Sequence, residues 1–216
     1  MDAPLREIQG PAGRLEVLLE QPVLAPGAAP RAAVVFAHPH PQHGGTMHTK
    51  AVYRATKALG RIGCVVLRFN FRGVGRSEGS WDEGRGERDD FRAALDFMAS
   101  RYPDVELWAA GFSFGAWVAL TVGAADDRVS VLLGIAPAVT SYDFSMVESS
   151  TKPKFFIHGE RDELIPLSSM RKFYARLPEP KELVVIDAAD HLFDGRVLEV
   201  GDAVEDLLAD YQTPTH

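Results

Sequence analysis

The sequence predicts an α/β fold: a three-layer α/β/α sandwich on a mostly parallel sheet of about eight strands, opened by an antiparallel N-terminal hairpin. Three observations predict it. Short β-branched runs alternate with longer amphipathic stretches along all 216 residues. Some of the short runs, 32–38 above all, are apolar nearly throughout, as strands covered on both faces are. The intervals after the first hairpin are long enough for right-handed crossovers between parallel strands.

The elements follow in order. Residues 5–9 and 15–20 read as two strands joined by a Gly10-Pro11-Ala12-Gly13 turn. A Pro/Gly/Ala-rich loop, 22–30, leads to the strand at 32–38. A helix over 47–61 sets Val52, Ala55, Leu59 and Ile62 on one face, at steps of three and four. A strand at 64–71 and a Gly-punctuated loop to residue 84 precede a helix carrying Phe91, Ala94, Leu95, Met98 and Tyr102. Strand 105–112 runs into Ser113, and a helix follows over 114–122. Strands at 129–136, 154–158 and 183–187 complete the sheet. A helix at 167–177 separates the last two, and a final helix presents Val197, Gly201, Val204, Leu208 and Tyr211 on one side. No repeat or linker divides the chain, so residues 1–216 are expected to form one domain.

Composition narrows the function. Lys and Arg number 23 against 30 Asp and Glu, a net charge of −7. An acidic protein has no general attraction to phosphate backbones or anionic lipid, so nucleic-acid and membrane partners are not expected. The first residues, MDAPLREIQGPAGR, hold charges and no apolar core of a signal peptide. The longest apolar run, 131–139, is far short of the roughly 20 residues of a membrane helix. One cysteine, Cys64, permits no internal disulfide and suits a reducing compartment, so the expected location is the cytoplasm.

In open parallel sheets, reactive groups collect at the carboxyl ends of the strands. Gly111-Phe112-Ser113-Phe114-Gly115 stands at one such end, between a strand and a helix. A nucleophilic serine there needs a turn so tight that a Cβ two residues to either side would clash, hence Gly111 and Gly115. The helix start also directs free N–H groups and a positive dipole end at the site. The plain alternative is a packing turn with a helix-capping serine.

A serine nucleophile needs a base, and the base an orienting acid. On such a sheet the chain order is Ser, acid, His. Asp162 follows the strand at 154–158, and His191 follows the last strand. Glu160 and Glu163 are alternative acids. His158 reads as a packed histidine and Asp190 as a brace of the histidine loop. Two N–H donors are expected to face the developing oxyanion: that of Phe114, next to the nucleophile, and that of His40. Pro39 and Pro41 have no N–H, so His40 is the one donor in that stretch. His38, His40, His43 and His48 also cluster as a metal site would, but at no recognised zinc spacing and with no cysteine or carboxylate beside them. No metal or other cofactor is expected.

The loop from Arg72 to Gly79 resembles a phosphate cradle but lacks the ending of a P-loop. Its arginines are expected to pair with Glu78, Glu83, Glu87 and Asp89. The rival reading makes Arg72 and Arg76 a handle for an anionic substrate. Met47, Phe112, Trp117, Phe144 and Phe193 are candidates to line an apolar substrate pocket.

With these motifs the chain resembles the α/β-hydrolase superfamily over essentially its whole length. It looks like the small lidless bacterial serine hydrolases related to dienelactone hydrolases. The segments that carry the likeness are 10–16, 38–47, 68–79, 111–115, 158–162 and 189–193. Dienelactone hydrolases use a cysteine where this chain has Ser113, so their substrate does not carry over. Dehalogenases and epoxide hydrolases of the superfamily carry an aspartate there, which disfavours their chemistry. Residues 140–152 are too few for the helical cap of many relatives, so an open site without a cap domain is expected.

The expected function is therefore ester hydrolysis through an acyl-enzyme on Ser113. His191 is the general base and acid, Asp162 the orienting acid, and a small-molecule ester the substrate. A thioesterase or peptidase with the same triad, or a non-catalytic scaffold on a hydrolase fold, is the alternative.

Overall fold

The computed structural model describes residues 5–211. Strands β1 (Glu7–Gly10) and β2 (Gly13–Glu20) form the antiparallel hairpin, and β2 pairs antiparallel with β4 (Val65–Phe69). From there β3 (Ala32–Ala37), β5 (Glu106–Phe112), β6 (Val129–Ile135), β7 (Lys154–Gly159) and β8 (Lys181–Ile186) continue in parallel. The eight-stranded sheet has the order β1-β2-β4-β3-β5-β6-β7-β8.

Strand alternation sorts the core into two halves. Ala33, Val35 and Ala37 of β3 face one cluster, which also holds Phe91, Leu95 and Met98 of α2 (Arg85–Arg101), Val118 and Leu120 of α3 (Phe114–Ala125), and Met170 and Phe173 of α5 (Leu167–Arg176). Ala32, Val34 and Phe36 face the other, with Val52, Ala55 and Leu59 of α1 (Lys50–Arg61) and Val200, Val204 and Leu208 of α6 (Val197–Leu208). β3 and β4 are buried along their whole length, as strands covered on both faces must be. Each large apolar side chain so buried contributes about 1.5–3 kcal/mol.

The structure trims the expected elements in ways that shape the site. α1 begins at Lys50 rather than residue 47, because Met47 donates its N–H to Oδ1 of Asn70 and Thr49 closes a turn on Thr46. β4 ends at Phe69: Asn70 still donates its N–H to the carbonyl of Glu16 on β2, but that of Phe71 turns to Nε2 of His38. The last helix stops at Leu208, short of Tyr211, and the last strand starts at Lys181. Two short elements lie in segments read as loops, a 3₁₀ turn at Pro41–His43 and α4 (Ser145–Glu148). Neither is long enough to show a period. α4 is the only helix between β6 and β7 among the described residues, and there is no cap. No helix of the described residues is long and apolar enough to cross a membrane.

Candidate active site

Ser113 joins β5 to α3 with φ 55° and ψ −116°, a conformation that L-residues rarely adopt. Its N–H is held by the carbonyl of Ile135 on β6 at 2.8 Å. A Cβ at Gly111 would collide with the carbonyl of Gly115, and one at Gly115 with that of His38. Both glycines are therefore required for the turn to pack against the neighbouring backbone.

Oγ of Ser113 lies 2.9 Å from Nε2 of His191, whose Nδ1 lies 2.7 Å from Oδ2 of Asp162. Oδ1 of Asp162 accepts the N–H groups of Leu164, at 3.0 Å, and Ile165, at 2.7 Å. This carboxylate has only acceptor sites, so it fixes the proton of a neutral His191 on Nδ1 and leaves Nε2 free to accept from the serine hydroxyl. All three side chains are nearly buried.

The loops that carry Asp162 and His191 are tied to each other. Arg161 donates its N–H to the carbonyl of Ala189, and Glu160 accepts the N–H of Ala188 at 2.8 Å. Glu160 thus braces the loop and does not touch the imidazole, while Glu163 stands exposed. His158 is buried beneath, its Nε2 donating to the carbonyl of Ile165 at 2.8 Å. Burial holds its pKa below the usual histidine value. Asp190 accepts the N–H of Asp194, which closes the turn after the histidine.

His40 lies just before the 3₁₀ turn, with its ring stacked on His43 at 4.4 Å and 5.1 Å from the ring of Phe114. Burial and the neighbouring His43 lower its pKa. The carbonyl of His40 accepts from His43 and Gly45, and among the described residues no group accepts the N–H of His40 or of Phe114. His38 is fully buried and engaged at both nitrogens, with Nδ1 2.6 Å from the carbonyl of Pro39 and Nε2 3.1 Å from the N–H of Phe71. The described residues contain no cluster of three metal-binding side chains.

Residues 28–148, more than half of the chain, match the model of the family described as serine aminopeptidase, S33. The chain belongs to this family. An α/β serine hydrolase homologue from Coxiella burnetii superposes with a TM-score of 0.88 at 36% identity, over 96% of this chain and 97% of that one. XC6422 of Xanthomonas campestris, a serine hydrolase without a lid, gives 0.87 at 34% identity over 99% and 96%. The uncharacterized protein RP471 of Rickettsia prowazekii is 35% identical over 96% of this chain and 89% of its own length. A monoacylglycerol lipase of Mycolicibacterium smegmatis is 30% identical over 56% of this chain and 43% of its own.

Within this serine hydrolase fold, the five side chains expected to line an apolar pocket are buried. Phe112 and Phe193 are wholly buried; the ring of Phe112 backs that of His191 at 5.5 Å and does not line an open site. Phe144 packs on Phe173, and Trp117 stacks on Tyr142 at 4.4 Å while its Nε1 donates to the carbonyl of Asp143. Met47 borders a polar cavity of about 760 Å³ beside the hairpin. The four aromatic side chains belong to the packed interior, as most apolar residues on helices and strands do. The groove that contains His191 is instead flanked by Leu164 and Leu192. Sequence offered one signal for them: a leucine two residues after Asp162 and one directly after His191.

The arginine loop also departs from expectation. Arg72 grips buried Asp90, not the carboxylates nearer in sequence, with Nη2 2.7 Å from Oδ1 and its backbone N–H on Oδ2. Glu78 pairs with Arg14, Glu83 with Arg85 and Asp89 with Arg92, while Glu87 accepts the N–H groups of Asp82 and Gly84. Arg72 is thereby unavailable as an anion handle. Arg76 lines the polar cavity near Met47 rather than the groove at His191.

Proposed function

We propose that the protein is a serine carboxylesterase that works through an acyl-enzyme on Ser113. The observation that carries the reading is the unbroken chain of hydrogen bonds from Asp162 through His191 to Ser113, at 2.7 and 2.9 Å. Oγ attacks the ester carbonyl as its proton moves to Nε2 of His191, and Asp162 stabilises the imidazolium formed. The N–H groups of Phe114 and His40 take the oxyanion; each such donor is worth about 3 kcal/mol in the transition state. Collapse expels the alcohol, which receives the proton from Nε2. Water then repeats the sequence and releases the acid. The chemistry requires no cofactor. Cys64 is free and buried, its thiol pKa pushed up to about 12 by burial, and a chain with one cysteine suits the reducing cytoplasm we propose for it.

Two comparisons favour different acyl substrates. The monoacylglycerol lipase relative supports an ester, and the aminopeptidase family description supports a peptide. The triad serves both, so the test must first establish the nucleophile. A fluorophosphonate probe followed by peptide mapping is expected to give one adduct, on Ser113, that Ser113→Ala and His191→Ala both abolish. A panel of p-nitrophenyl esters, acyl-CoA thioesters and aminoacyl naphthylamides then ranks the substrates, with esters expected fastest. No adduct on Ser113, or esterase activity that survives Ser113→Ala, would overturn the proposal.

A further inference from the structure

We propose that the groove between Leu164 and Leu192 is the leaving-group subsite, and that it takes a neutral, apolar alcohol of short alkyl or single-ring size. This rests on the esterase reading above and says which side of the ester the groove receives.

The argument begins with two misplaced side chains. Leu164 is 68% exposed and Leu192 51%, in a protein that otherwise buries most of its leucines. Neither is free to turn inward. The N–H of Leu164 is fixed on Oδ1 of Asp162, and Leu192 lies between His191 and Phe193, whose φ of 57° turns the chain back into the core. The loops that hold the acid and the base therefore also hold one leucine each at the surface. Together with Ala188 they border a groove of about 370 Å³ in whose wall His191 lies. Exposed apolar surface beside a reactive group marks a binding site more often than isolated exposed leucines do.

The position of His191 decides which half of the substrate lies there. After the tetrahedral intermediate forms, the proton on Nε2 must pass to the leaving oxygen, so the alcohol departs on the imidazole side. A groove that includes His191 receives that alcohol and not the acyl chain. Its volume lies at the low end for ligand sites, which matches a few methylenes or one ring. Charge narrows the class further. The rim carries Arg161 against Glu163 and Asp190, an excess of one negative charge, which disfavours a polyanionic leaving group such as coenzyme A.

The test uses two ester series on the intact protein. In one the acyl group is acetyl and the alcohol runs through ethyl, butyl, hexyl and benzyl. In the other the alcohol is p-nitrophenol and the acyl chain lengthens from two to eight carbons. Wild type is expected to gain in kcat/KM from ethyl to hexyl and benzyl acetate. Leu164→Ser and Leu192→Ser are expected each to lower kcat/KM for the hexyl and benzyl esters about tenfold more than for ethyl acetate, while the shape of the acyl-length profile holds. Both positions are more than half exposed, so the variants are expected to fold, and fluorophosphonate labelling of Ser113 checks that the triad is intact. If labelling persists and the alcohol profile is flat or unmoved, or the acyl profile moves instead, the subsite assignment is wrong and the esterase reading stands. If wild type itself is not labelled, the esterase reading fails and takes this assignment with it.

Discussion

The backbone N–H of Phe71 donates to Nε2 of His38 at 3.1 Å, so the ring's one proton sits on Nδ1 and points to the carbonyl of Pro39, 2.6 Å away. One neutral imidazole thus fastens the ends of β3 and β4 together. It also grips the Pro39–His40 peptide, a rigid plane whose N–H is the proposed oxyanion donor. A protonated ring would set Nε2–H against the Phe71 N–H, donor to donor.

Acid stability is the first prediction. Burial pushes the pKa of His38 from 6.5 down to about 4. Between those values the unfolded chain binds the proton and the folded chain does not, so stability rises with pH. The contribution is fully present above pH 6.5 and is lost as pH falls toward 4, on the order of 3 kcal/mol in all. His158, shifted in the same direction, adds to the slope. Urea unfolding of wild type and His38→Gln at pH 7 and pH 4.5 checks this. The variant is expected to be weaker at pH 7, because its Oε1 can accept the N–H of Phe71 but it has no donor at the Nδ1 position for the carbonyl of Pro39, and to lose about 2 kcal/mol less than wild type on acidification. Equal losses in the two proteins would show that His38 is not the titrating group.

Backbone strain at Ser113 gives the second. Ser113 holds φ 55° and ψ −116°, which favours glycine over any residue with a Cβ. Ser113→Ala and Ser113→Gly remove the same hydroxyl and the same contact with His191, and both are expected to abolish fluorophosphonate labelling. They differ in strain. Ser113→Gly is expected to be more stable than Ser113→Ala by about 1 kcal/mol, after the extra unfolded-state freedom of glycine is offset. Thermal unfolding of the pair measures the difference, and an alanine variant as stable as the glycine one would mean that the turn relaxes.

Much of this site was legible in the sequence, and for physical reasons. The glycines at 111 and 115 are imposed by contacts local to one turn, and Asp162 and His191 follow strands because parallel sheets gather loop residues at one end. What was not legible depended on partners distant in sequence. Arg72 finds Asp90, 18 residues on, because α2 lies against the loop, and no local spacing distinguishes Asp90 from Asp89. The start of α1 was misplaced because Asn70 captures the N–H of Met47 from across the sheet. The aromatic residues expected in a pocket face the core because their helices and strands do, while of the leucines beside His191 one donates its N–H to Asp162 and the other precedes the turn at Phe193.

The identity of the acid is the third prediction. Asn at 162 can keep its oxygen on the N–H groups of Leu164 and Ile165, which turns its NH2 toward Nδ1 of His191. The imidazole then has to accept at Nδ1 and carry its proton on Nε2, where it cannot take the serine proton. Asp162→Asn is expected to lower kcat about 10³- to 10⁴-fold with little loss of stability. Glu160→Gln retains an oxygen for the N–H of Ala188, and Glu163 is exposed, so Glu160→Gln and Glu163→Gln are expected to stay within a few-fold of wild type. Steady-state kinetics on one ester ranks the three, and a larger loss at Glu160 than at Asp162 would reassign the acid.

The fourth concerns the seam between the acid and base loops. Gly159 ends β7, and a Cβ there would stand 2.5 Å from the carbonyl oxygen of Ala189 and 2.7 Å from that of Asp190. These are backbone atoms of the segment that carries His191, so the segment has to move away to admit a methyl group. A shift of about 1 Å in catalytic geometry costs on the order of 100-fold in rate. Gly159→Ala is therefore expected to lower kcat by about that factor and stability by about 1–3 kcal/mol. Gly195→Ala is the matched control, since nothing lies within 4 Å of its Cβ position and only its φ of 74° is strained. That variant is expected to lose about 1 kcal/mol of stability and to keep its activity. Kinetics and urea unfolding of the two separate displacement of the imidazole from general weakening of the loop: if Gly195→Ala lost activity as severely as Gly159→Ala, the close contact at Gly159 would not be what sets the position of His191.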